Sequence, residues 1–87
     1  MSRVYRVYPE ELNRDEIIRL TAKRFESFTL EATIGYTKGK PERSMVIEIV
    51  DAHKKDVAAL AKSIRRLNGQ KSVLVMGLDG KVKKIPA

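Results

Sequence analysis

The fold of this 87-residue chain is decided by residues 28–50, which read FTLEATIGYTKGKPERSMVIEIV. From Phe28 to Tyr36 apolar and polar residues alternate, which is typical of a strand with one buried face. Residues 44–50 are apolar at nearly every position and predict a second strand in the middle of a sheet. Because only the turn-forming residues 38–42 separate the two strands, we expect an antiparallel hairpin.

A strand and a helix precede this hairpin. Residues 3–8 are rich in Val and Tyr and stop at Pro9, which predicts a strand. Asn13 followed three residues later by Glu16 is the pattern of a capping box, and apolar residues recur after it at helical spacing. We therefore predict a first helix over about 14–26.

A second helix follows the hairpin. Apolar residues recur every three or four positions from Val57 to Leu67. Gly69 suits the left-handed conformation that commonly ends a helix. These features predict a helix over about 54–68.

The C-terminal residues predict two more strands, 72–78 and 81–85, joined by Asp79-Gly80, which is a tight-hairpin signal. The order is then strand, helix, strand, strand, helix, strand, with one added strand. This is the split β-α-β pattern of the ferredoxin-like plait. We predict one α+β domain over residues 1–87, a βαββαβ plait with an extra C-terminal edge strand and two helices on one face of an antiparallel sheet.

Two of these strands are apolar on both sides. Val46 and Val50 alternate with Met45, Ile47 and Ile49, and the strand at 72–78 behaves in the same way. Two helices cover one face of the sheet, so the other face needs a different cover. We expect that cover to be a second subunit, and we predict a homo-oligomer.

Composition excludes several classes of protein. The chain has no Cys and one histidine, His53, which argues against disulfides and transition-metal sites. No apolar run approaches the roughly 20 residues of a membrane span, and the start has no signal-peptide core. We therefore predict a cytoplasmic protein that binds no metal, no cofactor and no membrane.

The excess positive charge is confined to the last third of the chain. Residues 1–53 carry nine Lys/Arg and nine Asp/Glu, whereas residues 54–87 carry nine Lys/Arg and two Asp. The second segment therefore accounts for the whole net charge of +7. Such segregation predicts a surface for an anionic partner.

On a helix over 54–68, five cations fall on one flank with no helix carboxylate among them. Cations along one face can neutralise successive phosphates, so nucleic acid is the predicted partner and a merely solvated face is the alternative. The predicted anion-binding residues are Lys54, Lys55, Lys62, Arg65, Arg66, Lys71, Lys81, Lys83 and Lys84. At the tip of the hairpin, a possible basic finger consists of Lys38, Lys40 and Arg43; the alternative there is a hydrated turn.

Aromatic and acidic residues offer further candidates. Tyr5, Tyr8 and Tyr36 could stack on bases if they lie on the open sheet face, although Tyr36 also continues a buried alternation. Glu31 and Glu48 could face each other on the side away from the helices, where a carboxylate pair can act as acid and base. We expect instead that each meets a Lys or Arg from a neighbouring strand or subunit.

The residues after the first strand do not fit two enzyme classes of this size. Acylphosphatases need a glycine-rich phosphate loop and an Arg there, and nucleases of the Cas2 type need a metal-binding Asp. The sequence reads Tyr8-Pro9-Glu10 at that place. We therefore predict that the protein is not an enzyme and has no catalytic residues.

Four segments together resemble the PII-like branch of the plait: Ile34-Gly35-Tyr36, the loop 37–43, the apolar run 45–51 and Asp79-Gly80-Lys81. This resemblance implies an oligomeric regulator that binds a small anionic metabolite or nucleotide between subunits. The 37–43 loop is shorter than in PII proteins, and no family site residue is carried over. Residues 28–75 are also similar to small proteins of phages and mobile elements, which implies a third possibility, a phage-type interaction or inhibitor module.

Overall fold

The computed structural model describes residues 3–77 and the backbone of residues 82–86. The strands form one antiparallel sheet in the order β2-β3-β1-β4-β5. This confirms the predicted plait with its extra edge strand. The predicted turn at Asp79-Gly80 lies outside the described residues, as does Lys81. In chain order the elements are β1 (Val4–Tyr8), α1 (Arg14–Arg24), β2 (Thr29–Thr37), β3 (Lys40–Val50), α2 (Lys54–Asn68), β4 (Ser72–Gly77) and β5 (Val82–Pro86).

The core lies between the two helices and one face of the sheet. Side chains of a strand alternate between faces, so every second residue of β1, β3 and β4 points toward the helices. Burying one aliphatic side chain of this kind stabilises the fold by about 1.5–3 kcal/mol. The fully or almost fully buried core residues are Tyr5, Val7, Ile17, Met45, Ile47, Ile49, Ala52, Val57, Leu60, Ala61, Ile64, Val73 and Val75.

The start of α1 differs from the predicted capping box. Asn13 has a left-handed backbone, with φ of 54°, and its side chain does not cap its own helix. Its Nδ2 instead donates to the Leu67 carbonyl at 3.4 Å and to Asn68 Oδ1 at 3.1 Å. The predicted capping box is therefore wrong, and Asn13 ties the start of α1 to the end of α2.

The β2–β3 hairpin is tighter and longer than predicted. Thr37 pairs with Lys40, and both turn residues, Lys38 and Gly39, have positive φ angles of 51° and 77°. Two central residues with positive φ form the type I′ turn that suits the twist of a hairpin. As a result β3 begins at Lys40, four residues before the predicted start.

The end of this hairpin extends past the part of the sheet that the helices cover. Tyr36 is 71% exposed and Ile34 is 62% exposed. The interpretation of Tyr36 as a core residue is therefore wrong. β2 is a strand as predicted, but only Leu30 and Thr33 are partly buried in it, because the helices do not cover its second half.

Helix α2 has the predicted bounds. Gly69 ends it with φ of 68°, and its N–H bonds back toward the Arg65 and Arg66 carbonyls. With 15 residues, α2 is the longer of the two helices described. No helix in the described part of the chain has the length and apolar character needed to cross a membrane.

Candidate functional site

The open face is the side of the sheet that neither helix covers. Its polar half consists of Arg6, Tyr8, Thr29, Glu31 and Glu48, which come from β1, β2 and β3. Its apolar half consists of Val4, Val50, Leu74 and Met76, which come from β1, β3 and β4. This division follows from the alternation of each strand together with the order of the strands.

Arg6 and Glu48 form an ion pair in the polar half. They are direct partners across β1 and β3, and Arg6 Nε lies 2.9 Å from Glu48 Oε2. Their side chains are 52% and 37% exposed, so water screens the pair and its main effect is to orient the two groups. The hydrogen bond and the charge of Glu48 raise the pKa of Arg6, with smaller contributions from Tyr8. The expectation that Glu48 meets an Arg of a neighbouring strand is confirmed.

The two carboxylates of the polar half are diagonal neighbours. Glu31 pairs with Val46, whereas Glu48 pairs with Thr29, so Glu31 and Glu48 do not face each other directly. Glu31 is exposed, and within residues 3–77 no ion pair includes it. Its carboxylate is therefore available to an external cation.

These side chains surround one depression of about 280 Å³ in the open face, lined by Arg6, Tyr8, Thr29, Glu31, Val46 and Glu48. A guanidinium, a phenol and two carboxylates around one depression can bind a small molecule that carries both positive and negative groups. Both glutamates were among the residues predicted from the sequence, whereas Arg6 was not. The i, i+2 spacing of Arg6 and Tyr8 places them on one side of β1, but only the pairing of β1 with β3 shows that this side is the one with Glu48.

A second depression of about 380 Å³ lies where α1 ends and α2 begins. Its acidic lining includes Glu26, Asp51 and Asp56, with His53 beside them. Among the described residues, no group of three or more acidic, His or Cys side chains is arranged to hold a metal ion. His53 is exposed at the start of α2.

The basic strip is the set of α2 cations Lys54, Lys55, Lys62, Arg65 and Arg66. All are exposed except Arg65, which is half-buried. Arg65 Nη1 donates to the Gln70 carbonyl at 3.3 Å, while its buried Nε has no partner. No carboxylate within residues 3–77 forms an ion pair with the strip.

The structure describes the other predicted anion-binding residues in different degrees of detail. Lys71 is exposed, three residues after α2. Lys81 lies outside the described residues, and Lys83 and Lys84 are placed by their backbone alone, paired with Val75 and Leu74. The exposed hairpin residues Lys38, Lys40 and Arg43 belong to the β2–β3 edge of the sheet, opposite the β4–β5 edge. The predicted basic finger and the basic strip therefore do not form one continuous surface.

The three tyrosines do not form a stacking platform. Tyr5 is buried under the helices, Tyr8 lies on the open face and Tyr36 lies on the projecting hairpin. Because side chains of β1 alternate between the two faces of the sheet, Tyr5 and Tyr8 lie on opposite faces. The prediction that these three side chains stack on bases together is therefore wrong.

Comparison with known proteins gives one informative result. No protein-family model matches the sequence. No curated protein matches it at a significant level. Among solved structures, the fold is similar to that of a phage SAM lyase in its apo state, with a TM-score of 0.68 and 22% sequence identity over 98% of this chain and 89% of that one.

This likeness shows the fold, and it agrees with the similarity to small phage proteins. The resemblance to PII-like regulators stays a prediction. The prediction that the protein is not an enzyme is wrong on this comparison, because a protein of the same fold over nearly the whole chain is named as a lyase. A chain without acylphosphatase or Cas2-type motifs can still be an enzyme, since one fold hosts many activities.

Proposed function

We propose that the protein is a lyase that acts on a sulfonium amino acid such as S-adenosylmethionine (SAM), and that the polar half of the open face binds the substrate. The observation that carries this proposal is the convergence of Arg6, Tyr8, Glu31 and Glu48 around one depression. The likeness to a phage SAM lyase directs the choice of substrate.

The charges of the depression complement those of such a substrate. SAM carries a carboxylate, an ammonium group and a sulfonium. Arg6 donates its Nε–H to Glu48, which leaves its terminal N–H groups for the substrate carboxylate. Glu31 accepts hydrogen bonds from the ammonium group. Charge-assisted bonds at both groups hold the amino-acid end of the substrate against the sheet.

Cleavage breaks a carbon–sulfur bond, and the neutral thioether leaves with the bonding electrons. Two routes balance this step. In an elimination, a carboxylate such as Glu48 removes a proton from the adjacent carbon and a carbon–carbon double bond forms. In an internal displacement, the substrate carboxylate forms a carbon–oxygen bond and yields a lactone. The released amino-acid fragment distinguishes the two routes.

The test is to incubate the purified protein with SAM and to quantify the adenosyl thioether and the amino-acid fragment by mass spectrometry. We expect Glu31→Gln and Glu48→Gln each to lower kcat/KM by about 100-fold, because each removes a charge without changing side-chain size. The matched control is Glu26→Gln, an exposed carboxylate in the second depression, which is expected to keep wild-type activity.

Two results would contradict this proposal. Turnover by the wild type no faster than in buffer would exclude lyase activity toward SAM, and a rise in melting temperature with a nucleotide would then favour the PII-like regulator. Loss of activity in Glu26→Gln with full activity in Glu31→Gln would move the active site to the second depression.

We also propose that the apolar half of the open face packs against a second copy of the chain. Leu74 and Met76 are only half-buried, and neither helix reaches them. Covering them removes apolar surface from water and lowers the local dielectric around the Arg6–Glu48 pair. Light scattering at micromolar concentration is expected to give at least twice the 9.9 kDa mass of one chain for the wild type and the mass of a monomer for Met76→Glu. A monomeric wild type would refute self-association.

A further inference from the structure

The basic strip has a regular geometry along α2. At about 100° per residue, Lys55, Lys62 and Arg66 fall within about 40° of one another around the helix axis. With a rise of about 1.5 Å per residue, they span about 16 Å along it. Their side chains are all exposed. The three cations therefore form a line rather than a cluster.

No acidic side chain among the described residues forms an ion pair with this line. Asp56, the one acidic residue of α2, lies at least about 80° away around the helix. Helix α2 packs against α1, whose first turn carries Asp15 and Glu16, and against β4 and β5, whose sequences contain no Asp or Glu. The cations of the line are therefore not neutralised by an ion pair within residues 3–77.

We propose that this line, Lys55, Lys62 and Arg66, binds the phosphate backbone of a nucleic acid without sequence preference. Each strand of duplex DNA carries one negative charge per about 3.4 Å of axis, so a 16 Å line spans about five phosphates of one strand. A small anion needs donors that converge on one point, which three cations in a line do not provide. The binding surface lies on the helix side of the sheet, so it is separate from the polar half of the open face and does not rest on the proposed lyase activity.

The experiment is a fluorescence anisotropy titration of a labelled 25-base-pair DNA duplex at 50 mM and 200 mM NaCl. Three phosphate contacts predict a slope of log K against log salt of about −2.7, so binding should weaken about 40-fold between the two conditions. In the double variant Lys62→Ala, Arg66→Ala, the slope should become less steep by about 1.8, from about −2.7 to about −0.9. Both substituted side chains are exposed, and circular dichroism is expected to show a wild-type fold.

The matched control is Arg14→Ala, Lys23→Ala on α1, which removes the same charge from exposed positions outside the strip. It is expected to keep the wild-type slope. Equal losses in the two double variants would overturn the proposal, because net charge alone would then explain binding. Absence of binding at 50 mM NaCl would also overturn it, as would equally effective competition by polyglutamate. Cleavage of SAM should be unchanged in the strip variant, which separates this proposal from the proposed function.

Discussion

The polar half of the open face and the basic strip of α2 use positive charge in opposite ways. Arg6 lies 2.9 Å from a carboxylate because the register of β1 and β3 places Glu48 directly opposite it. Lys62 and Arg66 have no carboxylate partner within residues 3–77, because they point to solvent from the outer flank of a helix. A paired cation has a defined orientation, which suits recognition of a small molecule. Unpaired cations in a line produce a long-range field that depends on salt.

Leu60→Ala is expected to have the largest effect, since it disturbs both regions at once. Leu60 is completely buried and attaches α2 to the sheet. Removing such a side chain costs about 2–5 kcal/mol of the free energy of unfolding. Urea denaturation followed by circular dichroism measures the loss. The control is Leu67→Ala, which lies on the same helix but is 37% exposed and should cost clearly less. Equal losses at the two positions would mean that α2 does not pack as described.

A cross-test of the two regions is expected to give the next largest effect. Glu48→Gln should lower SAM cleavage by about 100-fold and leave the salt slope of DNA binding unchanged. Lys62→Ala, Arg66→Ala should have the reverse outcome, because the two surfaces lie on opposite sides of the sheet and no ion pair within residues 3–77 joins them. Mass spectrometry and anisotropy on the same protein preparations provide the measurement. If either variant impaired both activities, the two surfaces would form one site, and the contrast between them would be lost.

Asn13→Ala is expected to have the smallest effect of the three. It removes two hydrogen bonds from the Asn13 side chain to the end of α2. It also places Ala, which tolerates the left-handed region less well than Asn does, at a position with positive φ. The expected cost is about 1–2 kcal/mol of the free energy of unfolding, measured by urea denaturation. Asn13→Gly tolerates the same φ and should retain more stability, so it separates backbone strain from the lost bonds. An Ala variant as stable as the wild type would show that this tie between the helices contributes nothing.

Local patterns in the sequence predicted the elements that depend on local interactions. The bounds of α2 were correct because apolar periodicity and Gly69 both act within one helix. Met45, Ile47 and Ile49 lie on one face of β3 as predicted, because alternation follows from the geometry of a single strand. That this face is the buried one is shown by the structure. The charge of the strip could also be predicted, since its residues are neighbours on one helix.

The candidate substrate site required the tertiary structure. Arg6 and Glu48 are 42 residues apart in the sequence, and only strand pairing brings them together. The same is true of Asn13, whose partners lie on the other helix. The sequence by itself determined the elements, the apolar faces and the segregation of charge, because these follow from local chain geometry. Only the tertiary structure decided which charges are paired and which remain free, because pairing depends on register and strand order across the whole sheet.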